Sequence, residues 1–311
     1  MFKVSSIRKA WFKLYNRFKT NYIGWIFVGI AAIMISLFYF YLMIQAFFIS
    51  LQSGSGNNLS FVGLDNYRRV FSDPTFIAAF KNTFIYLIVQ VPVMLLLGLV
   101  FSVLLNDVTL KFRSFFRIAI FLPCVTSLVA YSVIFKDLFA LDGLVNTLLI
   151  KFSIVPEAIQ WLTDPFWAKI TIILAITWRW TGYNMIFYLS GLQNIDRSIY
   201  EAAKIDGAKK LEQIRYITIP MLKPTVVILT LMAIGRIFYS DFGLFYQVPM
   251  NSGALYKTTQ TIDTYVYHGL MELQDVGMSA AAALYQSVVG FILVVTANTI
   301  VRKVDNDNAL F

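Results

Sequence analysis

The stretch Gln193 to Lys223, QNIDRSIYEAAKIDGAKKLEQIRYITIPMLK, is polar and helix-forming, and it stands between two long apolar runs. Ser198-Ile199-Tyr200-Glu201 has the S-x-x-E form of a capping box, in which the hydroxyl accepts from the N3 amide and the carboxylate returns to the cap amide. A helix is expected to start there. Ala202, Ala203 and Ala208 favour it, and Ile195, Ile199 and Ala202 or Ala203 recur at three- and four-residue steps to give a narrow apolar stripe. Gly207 costs roughly 1 kcal/mol inside a helix relative to Ala, so it is expected to end the helix or permit a sharp change of direction. Pro220 and Pro224 bracket the entry into the next apolar run. By patterning alone, the segment is a short amphipathic helix resting on a membrane surface.

The membrane is implied by what lies on either side. About 20 apolar residues span a bilayer core, and six runs reach that length: Tyr22 to Ile49, Ile77 to Leu105, Ser114 to Phe135, Trp167 to Leu192, Pro224 to Tyr246 and Met278 to Val301. The first is much longer than a secretory h-region of about 7 to 15 residues, so it is read as a retained anchor. Pro92 and Gly98 inside the second are tolerable where neighbouring helices satisfy the freed backbone groups. The whole chain agrees: 311 residues, 58% hydrophobic, 14% charged, mean hydropathy +0.68, and 16% aromatic, which suits lipid-facing helices and interfacial belts. This excludes a soluble globule, a disordered chain, a collagen-like repeat and a disulfide scaffold. Cys124 is the single cysteine and His268 the single histidine, so neither an internal disulfide nor a histidine cluster for a metal is available. Cys124 reads as an inert small hydrophobe in a span, and His268 as a surface residue of an outer loop.

Orientation follows from the basic residues. Lys3, Arg8, Lys9, Lys13, Arg17 and Lys19 precede the first run with no acid among them, which keeps the N-terminus in the cytoplasm. With six crossings, Lys111, Arg113 and Arg117, then Arg197, Lys204, Lys209, Lys210, Arg215 and Lys223, then Arg302 and Lys303 also fall inside. Outer segments hold only Arg68, Arg69, Lys81, Lys136, Lys151, Lys169 and Lys257. The net charge of +9 therefore sits at membrane edges and does not form a nucleic-acid groove. The expected architecture is an all-α membrane protein with six transmembrane helices and both termini cytoplasmic. Its parts are a basic N-terminus 1–21, a first span 22–49, an outer loop 50–76, a five-helix core 77–301 containing the cytoplasmic loop 193–223, and a tail 302–311. The outer loop begins with a Gly/Ser/Asn stretch, Ser53 to Asn58, flexible by composition. Segments 137–166 and 247–277 are long enough to hold short helices lying on the membrane surface.

Glu201-Ala202-Ala203, Asp206-Gly207-Ala208 and Ile217-x-Ile219-Pro220, at these spacings in a cytoplasmic loop, resemble the EAA signature of the membrane-spanning subunits of binding-protein-dependent ABC importers. Ile219 stands where that family usually has Leu, and Asp196 where these loops often have Pro. Phe61-Val62-Gly63-Leu64-Asp65-Asn66-Tyr67, Phe121-Leu122-Pro123, Gly143-x-x-Asn146 and Gly191-Leu192-Gln193 extend the similarity over roughly residues 60 to 305, toward the carbohydrate importers and their maltose-permease-type subunit. The resemblance implies a type I ABC importer permease fold in the bacterial inner membrane. It also implies a second, different permease subunit as heterodimer partner, two ATP-binding cassette subunits and an extracellular solute-binding protein. Glu201, Ala202, Ala203, Asp206 and Gly207 would couple the chain to the ATPase. ATP and magnesium would bind on that partner, since this chain has no G-x-x-x-x-G-K-[ST] loop and no cofactor of its own is implied.

Charged residues inside a span are costly, by about 2.5 to 3.5 kcal/mol on insertion scales, and normally face protein or a wet cavity. The fourth run contains Arg179, Trp180, Tyr183 and Asn184, and the fifth contains Arg236 and Asp241. Hydrogen-bonding groups beside flat rings suit a sugar, so these six are candidates for the lining of a translocation path. The competing reading is that Arg179 or Arg236 pairs with Asp241 to fix helix packing. An ion-coupled carrier or channel for a polar solute would show acids in several spans, and Asp241 alone argues against one. A membrane enzyme would need a nucleophile, base and orienting group, and no such constellation is present in the sequence.

Overall fold

Lipid offers the backbone no hydrogen-bond partner, so the apolar runs are forced into helices. The computed structural model describes residues 22–55, 58–237, 242–249 and 252–304. Helix α1 (Tyr22–Ile35) passes through a π-helical turn at Ser36–Tyr41 into α2 (Leu42–Ser50). Strands β1 (Gln52–Ser55) and β2 (Asn58–Phe61) form an antiparallel hairpin, pairing Gln52 with Phe61 and Ser53 with Ser60. The expected flexible stretch is therefore largely paired. Helix α3 (Asp65–Ser72) leads into α4 (Pro74–Asn106), which runs unbroken through Pro92. Then come α5 (Arg113–Val125), α6 (Leu128–Leu138), α7 (Leu144–Lys151) and the 29-residue α8 (Pro165–Gln193).

The loop after α8 holds α9 (Arg197–Ile205) and α10 (Lys210–Gln213), and a π-helical turn joins α10 to α11 (Ile219–Met221). Helix α12 (Lys223–Ile237) follows, then α13 (Phe242–Gln247), α14 (Tyr256–Thr259), α15 (Ile262–Met271) and α16 (Val276–Val304). Among the described residues three helical stretches are long and apolar enough to cross a membrane, or up to five if each bent pair is one crossing. Helix α8 extends about 43 Å at 1.5 Å per residue, which is a membrane-crossing length.

The third apolar run is not one straight span. Helices α5 and α6 meet at 108°, because Ser127 is extended (φ −58°, ψ 141°) and caps the new helix by accepting from the Ala130 amide at 3.2 Å. A polar side chain at a helix start outcompetes continuation there. The bend frees the Thr126 carbonyl, and Arg179 on α8 donates to it at 3.3 Å.

Two glycines bring α8 against its neighbours. A Cβ on Gly182 would lie 2.2 Å from the Ile120 carbonyl oxygen of α5. One on Gly98 of α4 would lie 2.8 Å from Asn184 Cβ and 3.2 Å from the Met185 amide. Small residues let membrane helices approach backbone to backbone in this way. Around these contacts, one core joins Tyr86, Phe135, Ile172 and Phe245, and a second joins Met185, Tyr188, Leu192 and Leu222. By contrast, the apolar stretch Ile26–Ser50 is exposed along almost all of its length, and only Ser50 at its end is buried.

The connections between the long helices are built on side-chain clasps. Buried Asn66 donates to the carbonyls of Ser50 and Gln52, tying α3 to the end of α2. Asn146 donates to the carbonyls of Ala140, Leu141 and Ile159, and accepts from the Ile159 amide and the Trp161 indole. His268, expected at the surface, is only 7% exposed. Its ring lies 4.5 Å from that of Tyr256, and its Nδ1 is 2.9 Å from Glu272.

Two substitutions test these contacts. Gly182→Val places its side chain into the α5 backbone and should lower the thermal stability of the solubilised protein by about 3 kcal/mol or more, as overpacking does. Unchanged melting would contradict the close crossing. Asn146→Ala strands several carbonyls, so amide exchange across residues 139–161 should rise about tenfold to a hundredfold, the equivalent of 1–3 kcal/mol of lost pairing. Exchange unchanged from the parent would show that the clasp is dispensable.

Candidate functional site

Helix α9 begins two residues earlier than the capping-box pattern predicts. Asp196 is the cap of α9 and accepts from the Ser198 amide at 2.9 Å, so Ser198 lies inside the helix and the Ser198–Glu201 box does not form. That amide bond holds the Asp196 carboxyl below the usual carboxylate range. At the other end Gly207 has φ +86°, a conformation disfavoured for side chains with a Cβ. The Gly207 amide donates to the Lys204 carbonyl and the Ala208 amide to the Ala203 carbonyl, which together make a Schellman turn. Glu201, Ala202 and Ala203 thus lie in a short helix fixed at both ends, with Asp206 as its C-cap and Gly207 just beyond it, and none of the helix's residues is buried.

Apolar side chains stand out on this loop. Ile205 is 86% exposed and Leu211 79%, each flanked by charged residues. The loop is fastened at several points. Tyr200 and Thr218 share a hydroxyl bond of 3.0 Å, and Lys210 reaches Asp107 at the end of α4 at 3.1 Å. The Thr109 hydroxyl and amide, with Lys210, hold Asp107 at about 2. Leu222 is fully buried, and a Cβ on Gly191 would lie 2.7 Å from it, so the exit of α8 and the entry of α12 are in contact.

Farther along the same two helices lies a cavity of about 40 Å³. Helix α4 contributes Gln90, Val91 and Met94; α8 contributes Ile176, Trp180, Tyr183 and Asn184; α12 contributes Leu229, Met232, Ala233, Arg236 and Ile237; and α13 contributes Phe245. The Arg236 guanidinium sits 3.8 Å over the Trp180 ring and 5.3 Å from that of Tyr183, a cation–π arrangement. Four of the six residues proposed from sequence therefore come together: Trp180, Tyr183, Asn184 and Arg236.

Arg179 does not line this cavity. It points to the α5–α6 bend, with its guanidinium also 6.0 Å from the Tyr131 ring. Asp241 lies outside the described residues, as does any pairing of it with Arg179 or Arg236.

Gln90 was missed because it is a neutral amide inside an apolar run, and a search for charge passes over it. It is 4% exposed and Asn184 3%. Gln90 Oε1 and Asn184 Nδ2 have no hydrogen-bond partner among the described residues, and Gln90 Nε2 makes only a 3.9 Å approach to Met94 Sδ. Among the described residues no group of three or more His, Cys, Asp or Glu side chains could hold a metal ion.

Several known proteins are similar to this chain in sequence or in fold. The lactose transport system permease protein LacF of Rhizobium radiobacter is 48% identical over 246 residues, covering 79% of this chain and 82% of that protein. The arabinooligosaccharides transport system permease protein AraP of Bacillus subtilis is 36% identical over 270 residues, covering 84% and 82%. A crystal structure of a bacterial ABC transporter involved in the import of the acidic polysaccharide alginate superposes with a TM-score of 0.82 at 24% identity, covering 94% of this chain and 99% of that one. The family model described as binding-protein-dependent transport system inner membrane component matches residues 75–306, which take in the cavity and the inner loop alike. The chain belongs to that family.

Proposed function

We propose that this chain is a permease subunit of an ATP-driven importer and forms part of the translocation pathway for a sugar or oligosaccharide delivered by an extracellular solute-binding protein. The observation that carries the reading is continuity: the two helices joined by the exposed inner loop, α8 and α12, are the two that supply most of the cavity wall. The relatives LacF and AraP, named for lactose and arabinooligosaccharide transport, point to the same substrate class. The 48% identity to LacF makes lactose the first solute to test.

In this reading the loop 193–223 faces the cytoplasm and both chain ends lie on that side. The segments 1–21, 22–49, 50–76, 77–301 and 302–311 are then, in turn, basic terminus, first span, outer loop, five-helix core and tail. Two ATPase subunits holding ATP and magnesium grip this chain and a second permease. Glu201, Ala202, Ala203, Asp206 and Gly207 form the contact, and Ile205 and Leu211 supply its apolar anchors. Small residues at 202, 203 and 207 let a partner approach the helix backbone, and the exposed apolar pair offers area whose burial is favourable. When the ATPases close, the loop moves as one piece because both of its ends are fixed. Helices α8 and α12 then separate at the cavity. Trp180 and Tyr183 offer flat faces to the C–H side of a sugar, while Asn184 and Arg236 offer hydrogen bonds. Arg179 is excluded from this lining and holds the bend of α5 and α6.

Reconstituted in vesicles with its partner permease, ATPase and loaded binding protein, the chain should take up lactose in an ATP-dependent manner. Uptake of lactose by vesicles containing this chain alone would instead favour an ion-coupled carrier. Ile205→Asp with Leu211→Asp should reduce receptor-stimulated ATP hydrolysis by about a hundredfold, the equivalent of two hot-spot losses of about 1.4 kcal/mol each, while the two permeases still co-purify. Hydrolysis at the parental rate would contradict the docking role.

A further inference from the structure

We infer that Gln90 and Asn184 together form a receptor for one neutral hydroxyl of the transported solute. This rests on the sugar-importer reading and adds to it a residue and the chemical group it recognises. Gln90 comes from α4 and Asn184 from α8, both are buried, and both line the same cavity. Their unpaired atoms are of opposite kind: an amide oxygen that accepts and an amide nitrogen that donates. Leaving buried polar atoms unpaired is unfavourable, and hydrocarbon supplies no substitute partner.

A hydroxyl that reaches both atoms as the helices part would donate to Gln90 Oε1 and accept from Asn184 Nδ2. The adjoining Trp180 ring supplies the apolar face, and Arg236, now stacked on it at 3.8 Å, must move aside as a sugar ring enters. At about 40 Å³ the cavity holds a hydroxyl-sized group and not a ring, so entry requires α12 to separate from α4 and α8.

The test uses the complete reconstituted importer with lactose and a panel of monodeoxy-lactoses. The parental protein should take up one analogue with kcat/KM lowered about tenfold, the loss expected for one hydrogen bond. Gln90→Met, which keeps the volume and removes the acceptor, should lower lactose uptake by a similar factor and be indifferent to the loss of that one hydroxyl, while Gln90→Glu, protonated when buried, should retain most of the uptake. Gln90→Met should melt no lower than the parent in detergent. Lactose uptake at the parental rate by Gln90→Met, equal sensitivity of that variant to every deoxy position, or a lowered melting temperature would overturn the receptor. No lactose uptake by the parental complex would count against the proposed substrate, a separate failure.

Discussion

Helix α8 can hold its place only because two of its contacts leave no room for a methyl group. Gly182 receives the α5 backbone, and Gly98 of α4 receives Asn184. Lipid tails are as apolar as leucine, so no hydrophobic force sorts one helix surface from another inside a bilayer; close backbone approach and interhelical hydrogen bonds do that work. Once α8 is pinned on two sides, the ring faces of Trp180 and Tyr183 are directed into the gap toward α12. The carbonyl exposed by the α5–α6 bend falls within reach of Arg179.

The same helix joins the cavity to the inner surface. From Asn184 it runs to Gln193, and the chain then turns through Asp196 into the doubly fixed helix α9. The loop returns through Leu222, wedged against Gly191, into α12 and Arg236. The loop and both walls of the cavity are therefore joined through packed side chains and hydrogen bonds. That connection links the exposed loop of an inner-membrane component to its cavity through packed helices.

What was legible in the sequence followed from requirements local to the chain. The long apolar runs had to be helices, and Gly207 had to end one because only glycine readily adopts its backbone angles. The misreadings share a different cause. Ser198 and Asp196 are both competent caps, and the choice depends on the path by which the chain leaves α8. The third run stays apolar across Thr126 and Ser127, and the partner that makes a bend tolerable there, Arg179, lies 53 residues away. His268 is buried by the rings of Tyr246 and Tyr256, which only the fold of the outer segment brings to it. Of the candidate path residues, charge and aromaticity found Trp180, Tyr183, Asn184 and Arg236, yet they could not separate Arg179 from the cavity or reveal Gln90 within it.

The central claim is that motion of the inner loop opens the gap between α12 and the α4–α8 pair. Its most direct test is a spin-label distance between Val93 on α4 and Met232 on α12 in the complete transporter, with and without trapped nucleotide. The distance should lengthen by several ångströms when nucleotide is bound, on the scale of interface helix shifts and larger element movements, while a label pair at Phe187 and Ile205 keeps its separation. A Val93–Met232 distance that stays fixed while Ile205 moves relative to Phe187 would contradict the account.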